Sequence, residues 1–442
     1  MNIIRRPTRD GKILVLTGLL LTVLLGMAAL AIDLGVIMST RTQLQAASDA
    51  GSLAGGTELL AGLGSGAFRT PTEVKANAET QAINFVAKHP AGEAASTSIT
   101  AARDVKLGTA TMDSATGTWS FVWDASPYNA VGVTTRRSSV GTTPGDRQLP
   151  LIFGPVLGTN HADITVDSVA VILPASGIHI PPGSPITSGL TPFAFSLERW
   201  RKYLRAVDYF EDNGIPDHTV IDPLVDENGN HYLGPDGNPE PLFYEMVKQG
   251  NGYVPRQLFD DQFGLTPSDS TNVTAGGDGI LEMNIYPLNS TSGNFGTIDV
   301  GDPNNSTSDL VRQIIYGLNE HDLSFFPDST FDPQLNDQGI VINQIDTTGD
   351  TGISSGIESA IEQILGQPRA MTLYSTVVNP GNNATFTLVD IIGIRFMDID
   401  LNGNPKTVIV QPANFSDPAA IPDFDEEIGS ETTFFTPLIL AH

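Results

Sequence analysis

The chain of 442 residues has no cysteine, which removes disulfide frameworks, thiol nucleophiles and cysteine-ligated zinc or iron–sulfur centres. Bases are scarce as well. Lys and Arg number 23 against 50 Asp and Glu, a formal charge of -27, which excludes a basic face for reading nucleic acid or an anionic membrane surface. Charged residues are only 17% of the chain, so the acidity reflects missing bases rather than acidic runs. With 40% hydrophobic residues a core can be buried. Aromatics are few (7%), whereas 44 Gly and 30 Pro call for many turns and short strands, against a helix-only fold. At roughly 100–200 residues per domain, the length allows two or three domains.

Catalytic signatures are also missing. The seven histidines (His89, His161, His179, His218, His231, His321 and His442) show no metal-ligand spacing, and no Gly-rich phosphate loop is present. Gly352-Ile353-Ser354-Ser355-Gly356 satisfies the nucleophile-elbow pattern, but Asp346–Thr351 before it reads as a polar loop without the strand an elbow needs. No enzyme is expected. Asp398-Ile399-Asp400-Leu401-Asn402-Gly403 matches half of a calcium loop, but Ile409 stands where a bidentate Glu is required, so a hairpin is the expectation. Oxygen-rich loops at Asp299 and Asp302, and at Asp346 and Asp350, leave structural Ca²⁺ as a weak alternative to turns; no other cofactor is expected.

One long apolar run is present. Ile13–Ile32 (ILVLTGLLLTVLLGMAALAI) holds no charge and as a helix measures about 30 Å, the hydrocarbon thickness of a bilayer. Residues 1–12 form a basic tail with Arg5, Arg6, Arg9 and Lys12 opposed by Asp10. The positive-inside bias puts this tail in the cytoplasm and everything after Asp33 outside a single-pass inner membrane protein. Ala29-Leu30-Ala31 has the form of a signal-peptidase site, but the run exceeds the ~7–15 residues of a signal core, which favours an uncleaved anchor. Gly11-Lys12 resembles a prepilin site, yet Leu16 stands where pilin-like subunits carry Glu, against a fibre subunit.

Val36–Leu60 continues the same helix, with Ala46, Ala50 and Ala54 on one i, i+4 line and Ala47, Gly51 and Gly55 on another. Small residues at this spacing admit a close neighbour, either this chain's own helix or sheet or a partner helix. Gly62, Gly64 and Gly66 end the helix. The whole stretch GKILVLTGLLLTVLLGMAALAIDLGVIMSTRTQLQAASDAGSLAGG resembles the TadE/TadG-like Flp pilus-assembly family, in its TadG-like branch. Ala31, Asp33, Gly35, Arg41, Leu44, Gln45, Ala47, Ala50, Gly51 and Ala54 are the anchor and helix-packing candidates on this match. Leu149–Leu173 resembles the family's short helix and closing strand, while Ser48, Gly51 and Ser52 depart toward polar or smaller residues where relatives are richer in alanine. The von Willebrand factor A domain of many TadG-like proteins needs Asp-x-Ser-x-Ser after a buried strand, and Pro174-Ala175-Ser176-Gly177 is not that motif. The resemblance implies a membrane-anchored, non-enzymatic component of Flp-type pilus assembly or secretion, an extracytoplasmic scaffold whose partners are the bilayer and other assembly or secretion proteins. An adhesin-like protein binding surface or envelope material through the same anchor module is the second reading.

Outside the membrane, Thr70-Pro71-Thr72-Glu73 is a capping box that starts a helix stopped by Pro90. Period-2 segments Val105–Met112, Thr118–Trp123, Ala130–Thr135 and Ile164–Leu173 predict a small antiparallel sheet, with Trp119, Phe121 and Trp123 on one core-facing side. Ser176–Ser188 reads as a Pro/Gly/Ser linker, giving domains 33–175 and 189–442. Beyond it, Arg199, Arg201, Lys202 and Arg205 fall on a helix and read as a solvated face, with contact to an acidic partner or internal carboxylates as the alternative. Turn-rich residues 214–305 precede capped helices at Ser306–Leu318 and Ser355–Leu365, with strands at Ile340–Ile345, Ala370–Val378, Ala384–Ile399 and Lys406–Gln411. The fold class is α+β: a transmembrane helix continuing into a stalk, a small antiparallel-sheet domain, then a second β-rich domain.

Overall fold

The computed structural model describes residues 10–201, 203–204, 244–249, 252–257, 280, 282–286, 295–301, 306–335, 340–350, 353–378, 382–402, 406–429 and 431–441. Helix α1 spans Asp10–Gly56 without interruption. It is the one helix among the described residues long and apolar enough to cross a membrane. Helix α2, Pro71–Val86, starts with the expected box: Thr70 accepts from the Glu73 amide, and the Glu73 side chain accepts from the Thr70 amide. Strands β1 (Val105–Asp113), β2 (Thr118–Trp123), β3 (Ala130–Arg137) and β4 (Ile164–Val171) follow as predicted, and pair antiparallel in the order β2-β1-β3-β4. The Asp113 carboxylate accepts from the amides of Ala115 and Thr116, which closes the first hairpin.

The pleat sorts this sheet into two faces. Val105, Leu107, Val131 and Val133 form a core beneath α1 and α2 with Ala47, Ala78, Ala82 and Val86. Ala110, Ala130 and Val171 lie on the other face beside Trp119, Phe121 and Trp123. Those three rings are stacked in a row, with centroids 6.2 and 5.4 Å apart, but β2 is an edge strand and each ring is only half-buried.

Past β4 the chain does not run out as a loop. Within the Pro/Gly/Ser segment, strand β5 (Ala175–His179) pairs with Thr330–Phe331 and Ala420–Pro422, and Ile178 and Ile180 are fully buried. Next come β6 (Leu190–Ser196), β7 (Met283–Tyr286), β8 (Phe295–Ile298), α3 (Thr307–Tyr316), β9 (Ile345–Asp350), β10 (Pro368–Val378), β11 (Asn382–Asp400) and β12 (Thr407–Pro412). The nineteen-residue β11 is long enough to pair with β10 along one edge, and with β9 and then β12 along the other. Since β10 also pairs with β6, β6 with β8 and β8 with β9, five strands close into a ring. Strands β6 and β10 alternate residues between two apolar cores, Phe193, Phe195, Met371 and Leu373 in one, Leu190, Ala194 and Ala370 in the other.

The chain then returns to its start. Strand Ile439–Ala441 pairs antiparallel with β4 and extends the first sheet. The Asn414 side-chain amide donates to the Leu60 and Leu63 carbonyls after α1, and Leu438 packs on Gly56.

Two local readings are corrected. Asp346–Thr351 is expected from sequence as a loop, but Ile345–Asp350 is strand β9; its exposed threonines bond outward, Thr348 to Asp299, and Thr387 donates to Asp346. Ser355–Leu365 begins with a 3-10 turn whose cap is Ser354, not Ser355: the Ser354 hydroxyl accepts from the Gly356 amide at 3.2 Å. Arg199 and Arg201 lie on helical backbone as predicted. Lys202, Arg205, Asp302, Gly403 and most of 214–305 lie outside the described residues.

Candidate functional site

Along α1 the environment changes at one residue. From Ile13 to Ile32 the large side chains are exposed, Leu14 at 78% and Ile32 at 46%, whereas Asp33 is 6% exposed. Its carboxylate accepts from the backbone amides of Ile152, at 2.9 Å, and Phe153, at 3.1 Å. A buried carboxylate is tolerated only when such donors replace its water. Just above, Val36 and Ile37 pack on Leu44, Leu149, Ile164 and Val166. The Gln43 side chain accepts from the Gly92 amide at 2.7 Å.

From Leu44 onward one face of α1 is fitted to the sheet and to α2. Thr135 donates to the Leu44 carbonyl at 2.9 Å, Ser48 donates to the Val133 carbonyl at 2.6 Å, and the Ser52 and Ser168 hydroxyls lie 3.2 Å apart. A Cβ on Gly51 would come within 2.5 Å of the Val86 side chain, and one on Gly55 within 3.1 Å of the Ala78 carbonyl. Hydrogen would be the only substituent that fits at these two positions without displacing a neighbour.

A charged collar surrounds this packing at the sheet's near end. Arg137 is fully buried on β3, donating to the carbonyls of Ala91 and Arg147 and to Glu93. Arg103 bridges Asp104 and Asp146, and Arg136 also pairs with Asp104. Burial raises the Asp146 carboxyl, but hydrogen bonds from Arg103 and Thr143 outweigh it and leave the group below the ordinary carboxylate range.

Comparison with known families identifies this assembly. Residues 11–58 match the Tad family, described as Flp pilus-assembly TadE/G-like, and residues 54–170 match Tad_C, Tad-like Flp pilus-assembly. This part of the chain belongs to the Tad pilus-assembly family. No curated protein and no solved structure matches the chain.

The Tad module places the sequence candidates unequally. Asp33, Leu44, Ala47, Gly51 and Ala54 are buried, Gln45 and Ala50 half-buried, and Ala31, Gly35 and Arg41 exposed. Of the two small-residue lines, Ala47-Gly51-Gly55 is buried throughout, while Ala46 is exposed. The neighbours admitted are the module's own α2 and sheet. Gln45 donates within the helix to Asp49 at 2.7 Å, so the longer-range tie is Gln43. Gln43 escaped the sequence reading, and Ser48 and Ser52 were noted there only as departures from an alanine-rich face, although two serines four apart on that face were a signal of polar contacts across it.

Outside the Tad module, a cavity of about 380 Å³ is lined by Asp390, Arg201, Glu426, Glu427 and Glu431. Burial pushes Asp390 up to about 7, with Glu431 adding and Arg201 opposing. An acid inside the run Leu388-Val389-Asp390-Ile391-Ile392 was the available signal. Among the described residues no group of three or more His, Asp or Glu side chains is arranged to hold a metal ion.

Proposed function

We propose that this protein is a single-pass, membrane-anchored, non-enzymatic component of Flp-type pilus assembly or secretion, with a cytoplasmic basic tail and an extracytoplasmic body that serves as a scaffold. The observation that carries this reading is the continuity of α1: one unbroken helix leads from exposed leucines into the core of a Tad module. The Ala29–Ala31 stretch lies within that helix, and cleavage there would cut it two residues before the Asp33 carboxylate that holds the body's loop. This favours retention of the segment as an anchor over its removal as a signal. Scaffolding fits a body whose recognisable chemistry is structural, with Ser354 serving as a helix cap.

Deleting Ile13–Ile32 tests the proposal, because none of the side chains removed contributes to the core. The truncated protein is expected in the soluble fraction and free of co-purifying assembly proteins; co-purification that survives deletion would refute the anchoring role. Protease added outside intact spheroplasts should digest residues after Asp33, and their protection would refute the orientation.

A further inference from the structure

We infer that the loop at 151–157 is a second membrane contact, lodging its tip in the interface of the same bilayer that α1 spans; this rests on the anchored reading of α1. The first support is position. The loop's amides are bonded to Asp33, the residue that follows the apolar run. The order of contacts along α1, Leu44 with Thr135, Ser48 with Val133 and Ser52 with Ser168, shows that the Arg137–Ile164 end of the sheet points toward the run. At 1.5 Å per residue Leu44 stands about 16 Å beyond Asp33, so the loop between β3 and β4 reaches down past the sheet to the helix's exit. Leu34 and Met38 on α1 are still 49% and 62% exposed at this level, so the apolar surface continues from helix to loop.

The second support is what the loop displays. Ile152 is 62% exposed and Val156 84%, with Phe153 beside them at 36%. Its backbone, in contrast, is bonded internally: Leu151 donates to Asn160, Val156 to Phe153, Gly158 to Pro155 and Thr159 to Gly154. Satisfied amides and bare aliphatic side chains are the combination that enters a bilayer interface without leaving polar groups stranded. The body is acidic, so anionic headgroups would repel it; apolar insertion, with Arg147 and His161 exposed behind the loop, is the contact that remains available.

The absence of cysteine makes the test clean, since one introduced cysteine is a unique label. The full chain is reconstituted in phosphatidylcholine–phosphatidylglycerol vesicles, with an environment-sensitive fluorophore at Val156→Cys, at Leu20→Cys within the run, or at Val122→Cys, which is exposed at the far end of the sheet. The expected result is a blue-shifted emission at Val156 that shallow-brominated lipid quenches, quenching at Leu20 by deep-brominated lipid, and neither at Val122. Quenching at Leu20 with an aqueous spectrum at Val156 overturns the loop contact and leaves the anchor standing. Shielding of Val156 from water and bromolipid alike means that protein covers the loop, which also overturns it. No quenching at Leu20 overturns the anchor, and the loop contact with it.

Discussion

The two halves of α1 belong to one unbroken helix, yet they solve opposite problems. Before Asp33 the helix carries Leu, Ile and Val on every side, all exposed, and a Cβ on Gly18 or Gly26 would meet nothing within 4 Å. After Leu44 the aliphatics thin out and Ala, Gly and Ser take over, because the neighbours are backbones and hydroxyls only a few ångströms away. Hydropathy separates the halves, and so does size: an exposed apolar surface tolerates any aliphatic bulk, whereas a surface facing another helix and a sheet tolerates little.

Substitutions at matched glycines should break this comparison most sharply. Gly51→Leu would drive a side chain into Val86 and is expected to cost about 3 kcal/mol, read as a lowered melting temperature of the full chain in detergent; Gly26→Leu should leave that temperature unchanged. Equal effects at both sites would mean that the halves are not distinguished by packing. Asp33→Ala strips the two loop amides of their acceptor and is expected to cost roughly 1–3 kcal/mol, with faster hydrogen exchange at Ile152 and Phe153 as the local readout.

Acid should act on the collar and spare the uncharged run. The folded Asp146 carboxyl titrates below its unfolded value, so its contribution is fully present above about pH 4 and is lost as pH falls through the folded value. Asp146→Asn should lower stability at pH 7 by about 1 kcal/mol and flatten the acid limb of the stability profile; an unchanged acid limb would refute the linkage. A smaller effect is expected from Ser52→Ala, about 0.5–1 kcal/mol for one hydroxyl pair, and Thr22→Ala, whose hydroxyl only returns to Gly18 within the exposed half, should register nothing in a melt.

What could be read in advance was local. The Thr70 box, the Asp113 hairpin and the period-2 strands each carry their signal within a few residues, and the apolar half of α1 declares itself by length. Long-range choices left weaker marks. Ile178 and Ile180 alternate like a strand, but Ser, Gly and Pro around them suggested a linker. Strand β9 is polar because Thr347 and Thr348 donate to Asp299 and Asp346 accepts from Thr387 on β11, so hydropathy missed it. Asp33 was legible as part of a family motif, but its acceptor role depends on amides more than a hundred positions away, for which one sequence offers no cue.

The strand Ile439–Ala441 also sets the order in which the molecule can be finished. Leu173 and Thr436, bonded at 3.2 Å, are 263 positions apart, so this pairing closes a very long loop and forms late. Until it forms, β4 presents an open edge able to recruit any extended segment nearby. Synthesis of this chain therefore leaves a half-finished, adhesive sheet until its distal segment is made, and a truncation that spares the whole Tad module would still expose that edge.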